Sequence, residues 1–145
     1  MAFQFSLAAV LLVRENAKKR AEQALQTIQA EIARIAGQVE ELNADISKTH
    51  HARERAMQQP IPAAQLHSFL HRVQSIAETR KALLDRLQVL ELERESRMKI
   101  YQAAHRELET IVEMFNEKRE AYDQEQDRTD QKRLDDIFAA RSQRN

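Results

Sequence analysis

Cysteine is absent, glycine occurs once and proline twice in 145 residues, and each shortage closes off a class of structure. Without cysteine there are no disulfides, and residence in the reducing cytosol is compatible with the chain. A lone glycine, Gly37, cannot build a phosphate-cradling loop, which argues against nucleotide hydrolysis by this chain alone. The two prolines, Pro60 and Pro62, sit together, so nothing else in the chain forces a break and long uninterrupted helices are expected. Aromatics are scarce at 5% while charged residues reach 32%, a composition suited to a thin seam between helices rather than a thick core. Charge of neither sign prevails: 23 Lys and Arg balance 23 Asp and Glu, so no net field draws the molecule to nucleic acid or anionic lipid. The apolar run Leu7 to Val13 ends at Arg14 after seven residues, too short for a signal peptide or a membrane span.

What is present is a heptad pattern. Leu7, Leu11, Ala21, Leu25, Ile28, Ile32, Ile35, Val39, Leu42 and Ile46 recur at alternating gaps of four and three, interrupted only by Arg14 and Lys18. A seven-residue repeat keeps such a stripe facing one partner when helices supercoil left-handedly. Glu15, Lys19, Glu22, Gln29, Glu40 and Asp45 occupy the opposite, solvated face. Ser6 is placed to cap this helix, with Phe5 stapling onto Val10. The pattern predicts a first helix over about 6–56, a turn over about 57–63 around Gln58-Gln59-Pro60-Ile61-Pro62, and a second helix over about 64–140.

The repeat resumes through Leu66, Phe69, Val73, Ile76, Leu83, Leu87, Leu90, Tyr101, Ala104, Leu108, Ile111, Phe115 and Tyr122, with Arg80, Arg94, Arg97 and Lys118 at the remaining seam positions. Two heptad helices joined by one short proline turn fold back on each other, so the expected fold is all-α: an antiparallel two-helix coiled-coil hairpin forming one domain over 1–145. Folding back near residue 60 sets Leu7 opposite roughly residue 113 and leaves the second helix overhanging beyond Phe115. Lys118, Glu125 and Thr129 then stand where apolar residues stood upstream, and Leu134, Ile137 and Phe138 form a small apolar cluster that nothing in the hairpin covers. Arg14, Lys18, Arg80, Arg94 and Arg97 have two readings: stems that cover the seam with heads reaching water, fixing register at some expense of stability, which is the expectation for Arg94 and Arg97, or a face left partly open for another protein.

A two-helix rod offers no concave apolar cleft, so the chain is expected to be no enzyme, with no catalytic residues and no cofactor. His67 and His71 are spaced i and i+4 and the fold-back brings them near His50 and His51, the one constellation with metal-ligand character. These positions lie mostly on the outer face, and the expectation is no metal site. His105 stands alone. Lys18-Lys19-Arg20 lacks interleaved aromatics and is flanked by acidic residues, so it reads as a solvated face rather than a nucleic-acid patch.

The C-terminal run Asp127-Arg128-Thr129-Asp130-Gln131-Lys132-Arg133-Leu134-Asp135-Asp136, followed by the basic stretch Arg141 to Arg144, resembles the signature end of the flagellar export protein family FliJ. The opening Phe3-x-Phe5-x-Leu7-x-x-Val10-Leu11-x-x-Arg14-Glu15 is similar to that family's start, so the likeness spans the chain. The family is related to the YscO-type stalk proteins of injectisomes. The resemblance implies a cytoplasmic component of the type III export apparatus used in flagellum biogenesis and motility, peripherally associated with the inner membrane and not inserted in it. It implies a stalk whose paired termini dock in the centre of the export ATPase hexamer and promote its assembly. The implied partners are that hexamer, the cytoplasmic domain of the export-gate membrane protein and export chaperones. Carried onto this chain, the tail motif implies Asp130, Gln131, Lys132, Leu134 and Asp135 as ATPase contacts. Aligning Phe69 with the family's aromatic near the turn implies Ile35, Val39, Leu42, Ile46, Phe69, Val73, Ile76 and Arg80 as gate contacts. Family members carry tyrosine and polar residues at several of these eight positions, where this chain has aliphatics, and all eight fall on the seam, where the competing reading is buried core. Two other functions compete with the stalk: a chaperone or chaperone escort whose open seam holds export substrates, and a generic coiled-coil spacer.

Overall fold

The computed structural model describes residues 2–144 and contains two helices, α1 (Ala8–Ala56) and α2 (Ala63–Arg144). No strand and no residue of positive φ occurs among the described residues. The fold is the expected all-α helical hairpin.

Helix α1 begins two residues later than the capping pattern predicts, because backbone groups do the capping. The Phe5 carbonyl accepts from Ala8 N–H at 3.1 Å and the Leu7 carbonyl from Leu11 N–H at 2.9 Å, so the chain enters through a tight turn at Ser6 and Leu7. At the far end Met57 N–H still reaches Arg53 O at 2.9 Å, after which Gln58 and Gln59 bond three residues back at 3.4 Å each, tightening the last turn. Arg53 and Arg55 sit in that turn, where cations favour the helix dipole. Pro62 ends the connection: its carbonyl accepts from Gln65 N–H at 3.0 Å and Leu66 N–H at 3.3 Å and so opens α2. With no proline or glycine after it, α2 runs to Arg144 rather than stopping near residue 140. All five threonines lie inside helices and turn their hydroxyls onto the carbonyl four residues back, at 2.8 to 3.2 Å, so none breaks its helix.

The chain divides into two compact units, Ala21–Ile100 and the pair Met1–Arg20 with Tyr101–Asn145. Within the first, Ala21, Leu25, Ile28, Ile35 and Val39 of α1 and Leu90 of α2 are buried, all on heptad positions. Thr49, the next d position after Leu42, is buried as well, its hydroxyl satisfied by Asp45 O. Arg97 donates to Ala24 O at 2.7 Å and Arg80 to Asn43 Oδ1 at 3.0 Å, each pair straddling Pro60–Pro62 at nearly equal sequence distance. That is antiparallel pairing in register. The alanines are the reason an arginine fits: Ala21 and Ala24 leave room on α1 for the long Arg97 stem from α2. Arg97 Nη2 also pairs with Glu93 at 2.6 Å, so its head is held over the seam rather than released to water as expected.

Within the second unit the pairing is of another kind. Arg14 pairs with Glu107, and Ala104 is the one buried apolar side chain among the unit's described residues. Phe5 does not staple onto Val10; its ring packs edge-on against Phe115 at 5.3 Å. Phe3 meets Phe115 at 5.5 Å and Tyr122 at 5.4 Å. The expectation that α2 loses its partner beyond Phe115 is corrected by one heptad. Residues 2–5 are not helical, and chain outside a helix can advance up to about 3.3 Å per residue against 1.5 Å inside one, which lets Phe3 reach Tyr122.

Candidate functional site

Past Tyr122, α2 continues for 22 more described residues, about 33 Å of helix. Every described residue from Asp130 onward is exposed. Leu134, Ile137 and Phe138 are half or more exposed despite their apolar chemistry. At about 100° per residue, Asp130, Leu134, Ile137, Phe138 and Arg141 share one arc of the helix. That arc is turned by roughly a third of a revolution from the line of Ile111, Phe115, Tyr122 and Thr129, along which α1's end lies. The tail patch is therefore a separate face and not leftover seam. An apolar trio at i, i+3 and i+4 with an acid before it and a base after it is what a helix presents to an apolar groove.

The five tail residues singled out by the family motif are spread around the exposed helix rather than gathered on one arc. Asp130 and Leu134 belong to the apolar arc. Gln131 and Asp135 lie beside it and bond to each other, Gln131 Nε2 donating to Asp135 Oδ1 at 3.2 Å. Lys132 points to the far side of the helix. All five are exposed. Ile137 and Phe138 complete the face, and their spacing from Leu134 is the signal that finds them.

At the root of the tail stands an aromatic collar made of Phe3, Phe5, Phe115 and Tyr122. Arg119 lies over the Phe3 ring at 5.0 Å and the Tyr122 ring at 5.9 Å, while its Nε faces Asp123 at 3.5 Å. Four of the seven aromatic residues gather here. Heptad spacing finds Phe115 and Tyr122 but not Arg119, which is held by the Phe3 ring that precedes α1.

The eight candidate gate contacts are brought together on the interhelical seam of the Ala21–Ile100 unit. Ile35 and Val39 are buried, Leu42, Ile46, Phe69, Val73 and Ile76 are half-buried, and Arg80 is tied to Asn43. Their partial or full burial is what a strict heptad repeat produces along its seam. The large apolar side chains open to a partner close to the turn are Met57 and Leu70.

The histidines do not converge. His67 and His71 are exposed, His51 faces Glu54 at 3.8 Å, and His50 is half-buried. Among the described residues no group of three or more His, Cys, Asp or Glu side chains is arranged to hold a metal ion. His105 is not an isolated surface residue: it stacks on Tyr101 at 6.2 Å and its Nε2 meets Glu109 at 3.1 Å. Arg94 pairs with Glu91 at 3.0 Å, and Lys118 is exposed beside the collar. On the outer face Arg34 donates to both oxygens of Glu31, at 3.0 and 2.6 Å, and these bonds hold the Glu31 carboxyl below its ordinary pKa.

A family model described as the flagellar FliJ protein matches residues 3–145. The chain belongs to the FliJ family. It is accordingly a flagellar export-associated protein, of a structural family rather than an enzyme family. No curated protein and no solved structure matches it. No helix among the described residues of this FliJ-family chain is long and apolar enough to cross a membrane.

Proposed function

We propose that this FliJ-family chain is a non-enzymatic stalk of the flagellar export apparatus, whose exposed tail docks in the export ATPase hexamer and promotes its assembly. The observation that carries the reading is the solvated run of α2 beyond Tyr122 with Leu134, Ile137 and Phe138 on one open face. A side-chain trio of this size left in water disfavours the free state, and a groove that takes it up gains the burial. In the same reading the end near Pro60 and Pro62 contacts the cytoplasmic domain of the export gate, and the protein works in the cytoplasm at the inner membrane. The aliphatic seam residues carried over from the family would serve that contact by shaping the turn end, with Met57 and Leu70 as the side chains that touch.

The test is ATP hydrolysis by a cognate export ATPase with and without the purified chain. Full-length protein is expected to stimulate hydrolysis severalfold by favouring the hexamer. Removal of residues 127–145 is expected to abolish stimulation while the far-ultraviolet signal falls only by the deleted helix. Full stimulation by the truncated chain contradicts the tail assignment. Tight binding of export chaperones without any effect on the ATPase supports the escort reading in its place.

A further inference from the structure

We propose that residues 2–20 form a detachable arm, latched by the aromatic collar, whose release uncovers the Tyr101–Tyr122 face of α2 and about doubles the length of free helix. Three observations within the unit Met1–Arg20 with Tyr101–Asn145 carry this. First, α1 has no buried residue before Ala21: Leu7, Leu11, Arg14 and Lys18, the arm's four seam positions, are all half-buried at most. Second, two of those four seam positions are cationic, and the Arg14–Glu107 pair is about half exposed on both sides, the kind of ion pair that adds little. Third, the latch itself is made of side chains on a non-helical segment. Phe3 and Phe5 hold Phe115, Tyr122 and Arg119 by ring and cation–π contacts, and the backbone of residues 2–5 forms no ladder with α2.

The consequence follows from how helices lose structure. A segment opens independently when its own contacts are few and its loss leaves the neighbouring core untouched. Peeling the arm up to Arg20 removes none of Leu25, Ile28, Ile35, Val39 or Leu90, which stay paired in the Ala21–Ile100 unit. What it uncovers on α2 is Leu108, Ile111, Phe115 and Tyr122, a heptad face able to receive another helix. The free part of α2 would then run from Tyr101 instead of from Tyr122. Its use as a length switch rests on the tail-docking reading above, whereas the opening is a property of the free chain, so the two can fail separately.

Native-state hydrogen exchange on the full chain tests it. Amides of residues 8–20 are expected to exchange at least tenfold faster than those of 25–46. The double variant Phe3→Ala/Phe5→Ala is expected to widen that gap tenfold again and to raise exchange in 104–122, with 25–46 and 76–97 unchanged. The sequence has no cysteine, so the pair Gln4→Cys/Lys118→Cys, two of the residues around one open hollow, joined by a flexible bifunctional thiol reagent, gives the opposite arm of the experiment. It is expected to slow exchange in 8–20 at least tenfold. Equal protection of 8–20 and 25–46 in the unaltered chain, or a uniform rise along the whole double variant, overturns the proposal.

Discussion

The same heptad writing produces two kinds of pairing in this molecule. Between Ala21 and Ile100 the stripe is largely aliphatic and closes over part of its length: Ile28 and Ile35 are left 4% and 3% exposed and Leu90 1%. In the unit Met1–Arg20 with Tyr101–Asn145 the stripe carries Arg14 and Lys18 on one helix, and only Ala104 is buried. An aromatic collar substitutes for depth there. Heptad spacing fixes which face meets a partner, while the size and charge of the residues at those positions decide how deeply they bury.

That contrast is broken most severely by removing a large buried group. Leu90→Ala is expected to lower unfolding stability by about 2 to 5 kcal/mol, because the methyl groups lost from a closed seam leave a gap that flanking helices cannot fill. Urea unfolding checks it, and a change under about 1 kcal/mol would mean the seam is not closed there. In the opposite direction, Gly37→Ala sharpens the contrast by stiffening the firm unit. A Cβ at Gly37 meets nothing within 4 Å and its φ is helical, so the substitution is expected to raise stability by about 0.5 to 1 kcal/mol. Thermal melting reads that gain. In the loose unit Arg14→Gln, which removes the pair with Glu107, is expected to change stability by less than about 0.5 kcal/mol, since both side chains remain largely in water. A larger loss would show the arm to be anchored more firmly than its burial indicates.

The smallest expected effect concerns acid. Bonding from Arg34 holds the Glu31 carboxyl below its ordinary range, a carboxylate whose folded pKa is depressed. Its contribution is thus complete above the unfolded carboxylate pKa and is lost as pH falls through the lower folded value. Arg34→Gln is expected to melt slightly below the parent at neutral pH and alongside it in acid. A gap between the two that persists in acid assigns the effect to something other than this bond.

Much of the fold could be read from the residues because its causes are local and repetitive. Leu7 to Ile46 and Leu66 to Tyr122 repeat at gaps of three and four, and Pro60 with Pro62 leaves one place to turn. What escaped the sequence reading depends on contacts without a period. The start of α1 is set by the Phe5 and Leu7 carbonyls instead of a Ser6 cap, and Phe3 reaches Tyr122 from a segment that is not helical. Arg97 was readable as a seam arginine, but its bond to Ala24 O depends on the alanines across from it. The tail motif is linear and so runs around the helix, whereas Asp130, Leu134, Ile137 and Phe138 share one arc, which only the helical geometry brings out.

As proposed above, this arc of the tail is a docking face. Its most direct test is the triple variant Leu134→Ser/Ile137→Ser/Phe138→Ser assayed with a cognate export ATPase. All three side chains are half or more exposed, so the hairpin's melting temperature is expected to be unchanged within a degree or two. Stimulation of ATP hydrolysis is expected to be lost. A stably folded triple variant that stimulates the hexamer as well as the parent chain contradicts the account.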